Sequence, residues 1–232
     1  MSAQSSPQSP EALKELAARA AVAYITDGMT VGLGTGSTAS HAVRAIAERM
    51  ATGLRIVGVP TSQQTDDLAR SLGVPLAELD AVAGLDITID GADEIDVHGF
   101  NLIKGYGGAL LREKLVARAT RRQIIVGDAS KVSLRGLTQK VPVEVVRFGA
   151  THTARALAQL GTEPVLRLRD GAPFVTDEGH IIYDCAFGPI ADPAALAATI
   201  KGLPGVVEHG LFVGLTHTII VAEQDGVRTW QR

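Results

Sequence analysis

Cysteine is almost missing from this 232-residue chain: Cys185 is the only one. No disulfide can form within it, and the composition fits a reducing compartment, the cytoplasm. Long apolar runs are missing too. Nowhere do about 20 apolar residues follow one another as a membrane helix needs, and the opening MSAQSSPQSP lacks the basic start and apolar centre of a signal peptide. Basic runs are also absent. With 22 Lys and Arg against 25 Asp and Glu the formal charge is −3, which argues against nucleic acid and membrane surfaces as partners. A small phosphate ester needs only two or three well-placed cations and stays open as a ligand. The six histidines (His41, His98, His152, His180, His209 and His217) are scattered without a ligand pair or zinc spacing, so no metal site is expected.

What is present is enough apolar material, 46% of residues, to bury a core without staples. Residues 1–10 read as an unstructured tail. From Glu11, apolar positions recur at three and four residues through Tyr24 and predict a first helix ending near Asp27 and Gly28. Then MTVGLG predicts a strand, TGSTASHAVRAIAERM a helix, LRIVGVP a strand, TSQQTDDLARSLG a helix and LDITIDGAD a strand, with QIIVGDAS a further strand after the helix that carries Glu113. Strands alternating with helices predict a Rossmann-like α/β fold, a mostly parallel sheet with helices on both faces. Beyond about residue 138 the order becomes β-α-β-β-α-β, that of a ferredoxin-like split βαβ unit. The expected organisation is therefore a catalytic domain over 11–137 and 211–232, with a smaller ferredoxin-like α+β domain over 138–210. The closing HTIIVAEQDGVRTW returns to the first domain as a strand.

GLGTGSTAS, from Gly32 to Ser40, joins a strand to a helix, a place where unpaired N–H groups and the helix dipole make an anion site. Thr35, Gly36, Ser37 and Thr38 supply close backbone and hydroxyl donors. No lysine follows the glycines, which excludes the GxxxxGK[ST] phosphate loop. Ser37 stands where a third glycine would complete GxGxxG, and no acid ends the next strand, which argues against a dinucleotide. The same segment also reads as a serine-capped turn without a ligand. Pro60, Thr61, Ser62 and Gln63 end the next strand on the same rim and read either as pocket lining or as a cap.

LDITIDGADEID sets Asp90 and Asp93 at a strand end, across Ala92 and a glycine, Gly91, that permits a tight turn. They read as hydroxyl-binding carboxylates or as an Asx turn and cap; Glu94 and Asp96 are assigned to solvent. In NLIKGYGGALLREK, Lys104 precedes Gly105, Tyr106 and Gly107, and a helix follows with Leu110, Leu111, Leu115 and Val116 as its expected apolar face. Periodicity leaves the side of Glu113 open. Lys131, after the next strand, falls on the same rim and reads as a phosphate partner or a surface lysine.

Taken in order, GLGTGSTA, TSQQT, DITIDGADEID, LIKGYGGALLREK and GDASK resemble ribose-5-phosphate isomerase of type A over nearly the whole chain after the tail. The resemblance implies cofactor-free interconversion of ribose 5-phosphate and ribulose 5-phosphate in the pentose phosphate pathway, by a homodimer or homotetramer. It makes Glu113 the proton acceptor and assigns Thr35 to Thr38, Asp90 to Asp93, Lys104 to Gly107, Lys131 and Lys14 to the substrate. Two departures stand out: Tyr106 replaces a glycine, so its ring is expected to narrow or extend the pocket, and His180 replaces an asparagine. A proton-shuttling glutamate suits aldose–ketose chemistry if burial lifts its pKa, so Glu113 is expected to be partly buried. Lys104 is expected to meet the enediolate's charge, Asp90 to assist ring opening, and Asp93 to orient hydroxyls or Lys104. A sugar-phosphate sensor needs the anion turn without the base, and a CoA transferase would use a glutamate as nucleophile; the base, lysine and aspartates together favour the isomerase.

Overall fold

The computed structural model describes residues 9–232; of the expected tail, residues 1–8 lie outside them. Helix α1 (Pro10–Val22) starts one residue before the predicted Glu11. Ser9 caps it by accepting the Ala12 N–H, and Pro10 opens it, a position where the missing N–H costs nothing. It also stops at Val22, several residues short of Asp27. There follow β1 (Thr30–Leu33), α2 (Ser37–Ala51), β2 (Val57–Pro60), α3 (Gln63–Ser71) and β3 (Leu85–Asp90). The chain continues through β4 (Glu94–Asp96), β5 (Asn101–Ile103), α4 (Leu110–Arg118), β6 (Thr120–Asp128) and β7 (Val132–Ser133).

The second half runs β8 (Val141–Val145), α5 (Ala150–Ala158), β9 (Pro164–Leu166), β10 (Leu168–Arg169), β11 (Ala172–Pro173), β12 (Ile181–Cys185), α6 (Pro193–Lys201) and β13 (Val206–His209). It closes with β14 (Leu211–Phe212), β15 (Thr218–Glu223) and β16 (Gly226–Gln231).

The main sheet has the order β16-β15-β6-β3-β1-β2 and is parallel throughout except for β16, which hairpins back along β15. The single closing strand of the sequence reading is thus two, turned at Gln224 and Asp225. Alternation along the central strands explains why both faces are covered. Ile124 and Val126 of β6 and Ile220 and Ala222 of β15 pack under α1 and α2. Ile125, Ile219 and Val221 face the other way, onto Ile95, Leu102, Ala117 and Phe212. That second face is covered by α4 and by a small sheet of order β14-β5-β4-β7, which has no counterpart in the sequence reading. Its strands are two or three residues long, too short for alternation to register.

The small sheet corrects the assignment of Glu94 and Asp96 to solvent, because both are buried. Glu94 accepts the Thr138 N–H and hydroxyl and the Gln139 N–H. Asp96 accepts the N–H groups of His98 and Gly99 in the β4–β5 turn. A four-stranded antiparallel sheet, β13-β8-β12-β9, carries α5 and α6 and has the ferredoxin-like order, with each helix connecting two strands that flank a third.

Helix α4 joins the two sheets' territories. Leu115, expected in its apolar face, is exposed, while Lys114 is buried. Lys114 donates to Glu208 Oε1 at 2.8 Å and to the His209 carbonyl at 2.5 Å, tying α4 to β13. Burial holds Lys114 down at about 8; despite its own burial, Glu208 is brought down to about 2 by the Lys114 charge. Removing one partner of such a pair strands the other. Lys114→Ala is expected to lower the unfolding free energy by about 3 kcal/mol, the lower end for a broken buried pair, because Lys201 still reaches Glu208. Urea unfolding checks this, and a loss below about 1 kcal/mol would place the pair in the class of solvated surface bridges.

Candidate active site

A cavity of about 110 Å³ opens where the carboxyl ends of β1 and β3 meet the loop before α4, the rim on which open α/β sheets bind ligands. One end is formed by Thr35, Gly36, Ser37 and Thr38. Gly36 is the N-cap of α2 with φ +104°, and no side chain caps the helix, so its first N–H groups remain available to an anion. Lys131 lines the same cavity. The turn is braced from behind: the Thr35 hydroxyl lies 2.8 Å from those of Thr61 and Ser62 and 3.1 Å from that of Thr65. Thr61 and Ser62 therefore support the turn rather than line the cavity, and Pro60 and Gln63 face a separate depression.

The other end is built around Lys104, whose side chain is 2% exposed. Its ammonium lies 3.0 Å from Asp90 Oδ2 and 3.1 Å from Glu113 Oε1. It donates to the Gly91 carbonyl at 2.5 Å and sits 5.6 Å above the Phe212 ring. β5 delivers Lys104, whose own N–H is fixed on the Gly210 carbonyl. Glu113 comes from the first turn of α4, where the Glu113 N–H closes onto the Ala109 carbonyl. Its Oε2 is buried and has no hydrogen-bond partner, while Glu113 itself lines the cavity.

The electrostatics follow from this burial. Desolvation pushes Glu113 up to about 8; the Lys104 charge pulls against it and the Asp90 charge adds to it. The helix N-terminus favours the carboxylate, but the loss of water outweighs it. Lys104 is raised above the ordinary lysine value, since the Asp90 and Glu113 charges outweigh the cost of burying it. It is an ammonium at any working pH. Asp93 is raised as well, by burial, against the pull of the Tyr106 N–H, which reaches its Oδ2 at 2.9 Å.

The sequence model of ribose 5-phosphate isomerase A (phosphoriboisomerase A) matches residues 57–226. The chain belongs to that family. It is 54% identical to the ribose-5-phosphate isomerase A of Synechococcus sp. (strain JA-3-3Ab) over 224 residues, covering 95% of this chain and 97% of the relative. The ribose 5-phosphate isomerase from Plasmodium falciparum superposes with a TM-score of 0.92 at 41% identity, covering 96% of this chain and 99% of the other. A D-ribose-5-phosphate isomerase in complex with phospho-erythronic acid superposes with a TM-score of 0.93 at 35% identity, covering 97% and 100%.

Within this member of the ribose 5-phosphate isomerase A family, three residues expected at the substrate lie elsewhere. Asp90 is fully buried and does not line the cavity. Its Oδ1 accepts the N–H groups of Thr35 and Gly91 and its Oδ2 faces Lys104, so it holds the site together from behind. Tyr106 turns its ring outward and donates its hydroxyl to the Lys140 carbonyl, so it neither narrows nor extends the cavity. The left-handed φ values of the loop fall on Gly105 and Gly108 instead. Lys14 pairs with Glu11 at 2.7 Å and lines a neighbouring open groove, which shares Lys131, rather than the cavity itself. Glycine is required at position 34, where a methyl group would lie 2.3 Å from Asp90 Oδ1. Gly34→Ala is expected to push Asp90 off Lys104, to cost about 1–3 kcal/mol or more of stability by overpacking, and to lose turnover. Denaturant unfolding beside an activity assay reads both, and a fully active, equally stable variant would show that the Asp90 contact is dispensable.

Proposed function

We propose that this chain interconverts D-ribose 5-phosphate and D-ribulose 5-phosphate through an enediolate, with Glu113 carrying the proton. One observation supports this above the rest: a buried carboxylate with one oxygen unpartnered lines a cavity beside a permanent ammonium. With the open-chain aldose bound, Glu113 takes the hydrogen from carbon 2. The electron pair forms the double bond between carbons 1 and 2, and charge collects on the carbon 1 oxygen. Returning the same proton to carbon 1 completes the ketose, while the hydroxyl proton passes from the carbon 2 oxygen to the carbon 1 oxygen. A base that must accept and release a proton works best with a pKa near the working pH, which is where burial places Glu113.

Lys104 cannot serve as the acid, because its neighbours hold its proton too firmly; its part is to stabilise the developing oxyanion electrostatically. Asp93, which lines the cavity and is raised by burial, is the carboxyl suited to moving hydroxyl protons, in ring opening and between the two oxygens. Asp90 keeps Lys104 in place. The phosphate belongs at the α2 N-terminus with Lys131, where its binding energy fixes the carbon chain over Glu113. Phospho-erythronic acid fits the same division. It carries a phosphate at one end of a short polyol and a planar carboxylate at the other, much as an enediolate intermediate does. The proposal includes the cytoplasm as the place of action and a homodimer or homotetramer as the working form. No helix among the described residues is long and apolar enough to cross a membrane.

Glu113→Gln is expected to retain sugar-phosphate binding, seen as a ligand-induced rise in Tm, and to lose turnover by about 10²–10⁴-fold. Turnover at the parental rate would remove Glu113 from the role of base. The pH dependence has a definite sign. Because the carboxylate is the working form, kcat/KM for ribose 5-phosphate should fall tenfold per pH unit below the pKa and level off above about pH 8. A profile still flat down to the ordinary carboxylate range near pH 4.3 would show that the working base is not this buried group.

A further inference from the structure

The catalytic loop Gly105–Gly108 is gripped from outside by a residue of the ferredoxin-like unit. Arg167, between β9 and β10, donates from Nη1 to the Gly105 carbonyl at 2.7 Å and to the Tyr106 carbonyl at 3.2 Å. Its guanidinium is fixed in turn by Asp184 of β12, through Nε at 3.0 Å and through Nη2, a two-point fork that a planar guanidinium makes and an ammonium cannot. The backbone of Arg167 is pinned as well: its N–H bonds the Ile182 carbonyl and its carbonyl accepts the Phe174 N–H. The tip of the Phe174 ring packs on Gly108, where a methyl group would lie 2.3 Å from Cζ.

The two carbonyls that Arg167 holds belong to successive peptide units. No cis peptide is present among the described residues, and in a trans unit the N–H points opposite to its C=O. Fixing the Gly105 carbonyl therefore aims the Tyr106 N–H, which meets Asp93 Oδ2 at 2.9 Å. Fixing the Tyr106 carbonyl turns the Gly107 N–H to the opposite side, and Gly107 lines the cavity. We infer that Arg167, backed by Asp184, is a positioning residue for the isomerisation: through two peptide units it sets the orientation of Asp93 and presents the Gly107 N–H to the substrate.

This rests on the functional reading above, and its test separates the two. Arg167→Met should lower kcat for ribose 5-phosphate by about tenfold or more, approaching the loss seen when one preorganised donor is removed, with KM changed by less than about threefold, because the phosphate end is untouched. Arg167→Lys, which can bond one carbonyl without the Asp184 fork, should recover part of that loss, and it serves as the second variant should the methionine form fail to fold. Hydrogen exchange over residues 104–109 of the unliganded protein reads the same contact without turnover and should speed up at least about tenfold in Arg167→Met. A lower Tm with kcat and loop exchange unchanged would make Arg167 a purely structural bridge and overturn the inference. A parent chain without isomerase turnover would sink the functional reading alone, leaving loop exchange to decide whether Arg167 orders the loop.

Discussion

One ammonium stands between two buried carboxylates, and the rest of the site depends on that shortage of positive charge. Lys104 is nearly equidistant from Asp90 and Glu113, and all three are buried. With both acids ionised the cluster would carry a net negative charge in a medium that solvates it poorly. The proton therefore has a preferred seat. Burial raises both carboxyls, but Asp90 Oδ1 accepts two backbone N–H groups while its Oδ2 faces Lys104 at 3.0 Å, which makes it the better-stabilised anion. Glu113 has Lys104 on one oxygen and nothing on the other, so it takes up the proton first. The macroscopic ionisation belongs to the cluster, but the geometry decides which carboxylate carries the proton.

This arrangement explains why the fold brings three elements to one point. Asp90 sits at the end of a central strand buried on both faces, Lys104 at the end of β5, and Glu113 one turn into α4. Each is fixed by backbone contacts as much as by its neighbours. Phe212, between Lys104 and Lys114 at 5.6 and 4.8 Å from the two ammonium groups, separates the cation of the cluster from the one that ties α4 to β13. On the proposed reading the substrate's phosphate goes to the far end of the cavity, at a helix terminus and Lys131. Anion binding therefore does not neutralise Lys104 or relieve the shortage of charge around Glu113.

The parts of this site that a single sequence reveals are those coded by local rules. A strand, a glycine turn and an amphipathic helix announce the α2 anion site, and the same logic places Asp93, Lys104 and Lys131 on one rim. The burial of Glu113 was an expectation from chemistry, since periodicity was silent about its side. What stayed hidden depends on partners distant in sequence. Glu94 and Asp96 look like surface residues because strands of two or three residues leave no alternation to read, and the donors for Glu94 lie more than forty residues away. Lys114 is buried because Glu208 and the His209 carbonyl of β13 receive its ammonium, and Leu115, expected on the apolar face, is left exposed. Asp90 and Asp93 are indistinguishable as letters in DGAD. Only the folded chain separates them: Asp90 is fully buried against Gly34 and bonded to the Thr35 and Gly91 N–H groups, while Asp93 lines the cavity.

Arg167 marks the limit of such reading most clearly. Nothing in EPVLRLRDG separates it from Arg169, which lies 4.4 Å from the Phe174 ring while Arg167 reaches past that ring to the loop carbonyls. The difference is not one of side, since residues two apart in an extended segment share a face, but of partner: Asp184 on β12 holds the Arg167 guanidinium against the glycine loop. A loop rich in glycine can take many conformations, and the order needed to aim two N–H groups must come from outside it. The ferredoxin-like unit supplies that order through Arg167 and Phe174, which makes it part of the active site even though none of its residues lines the cavity.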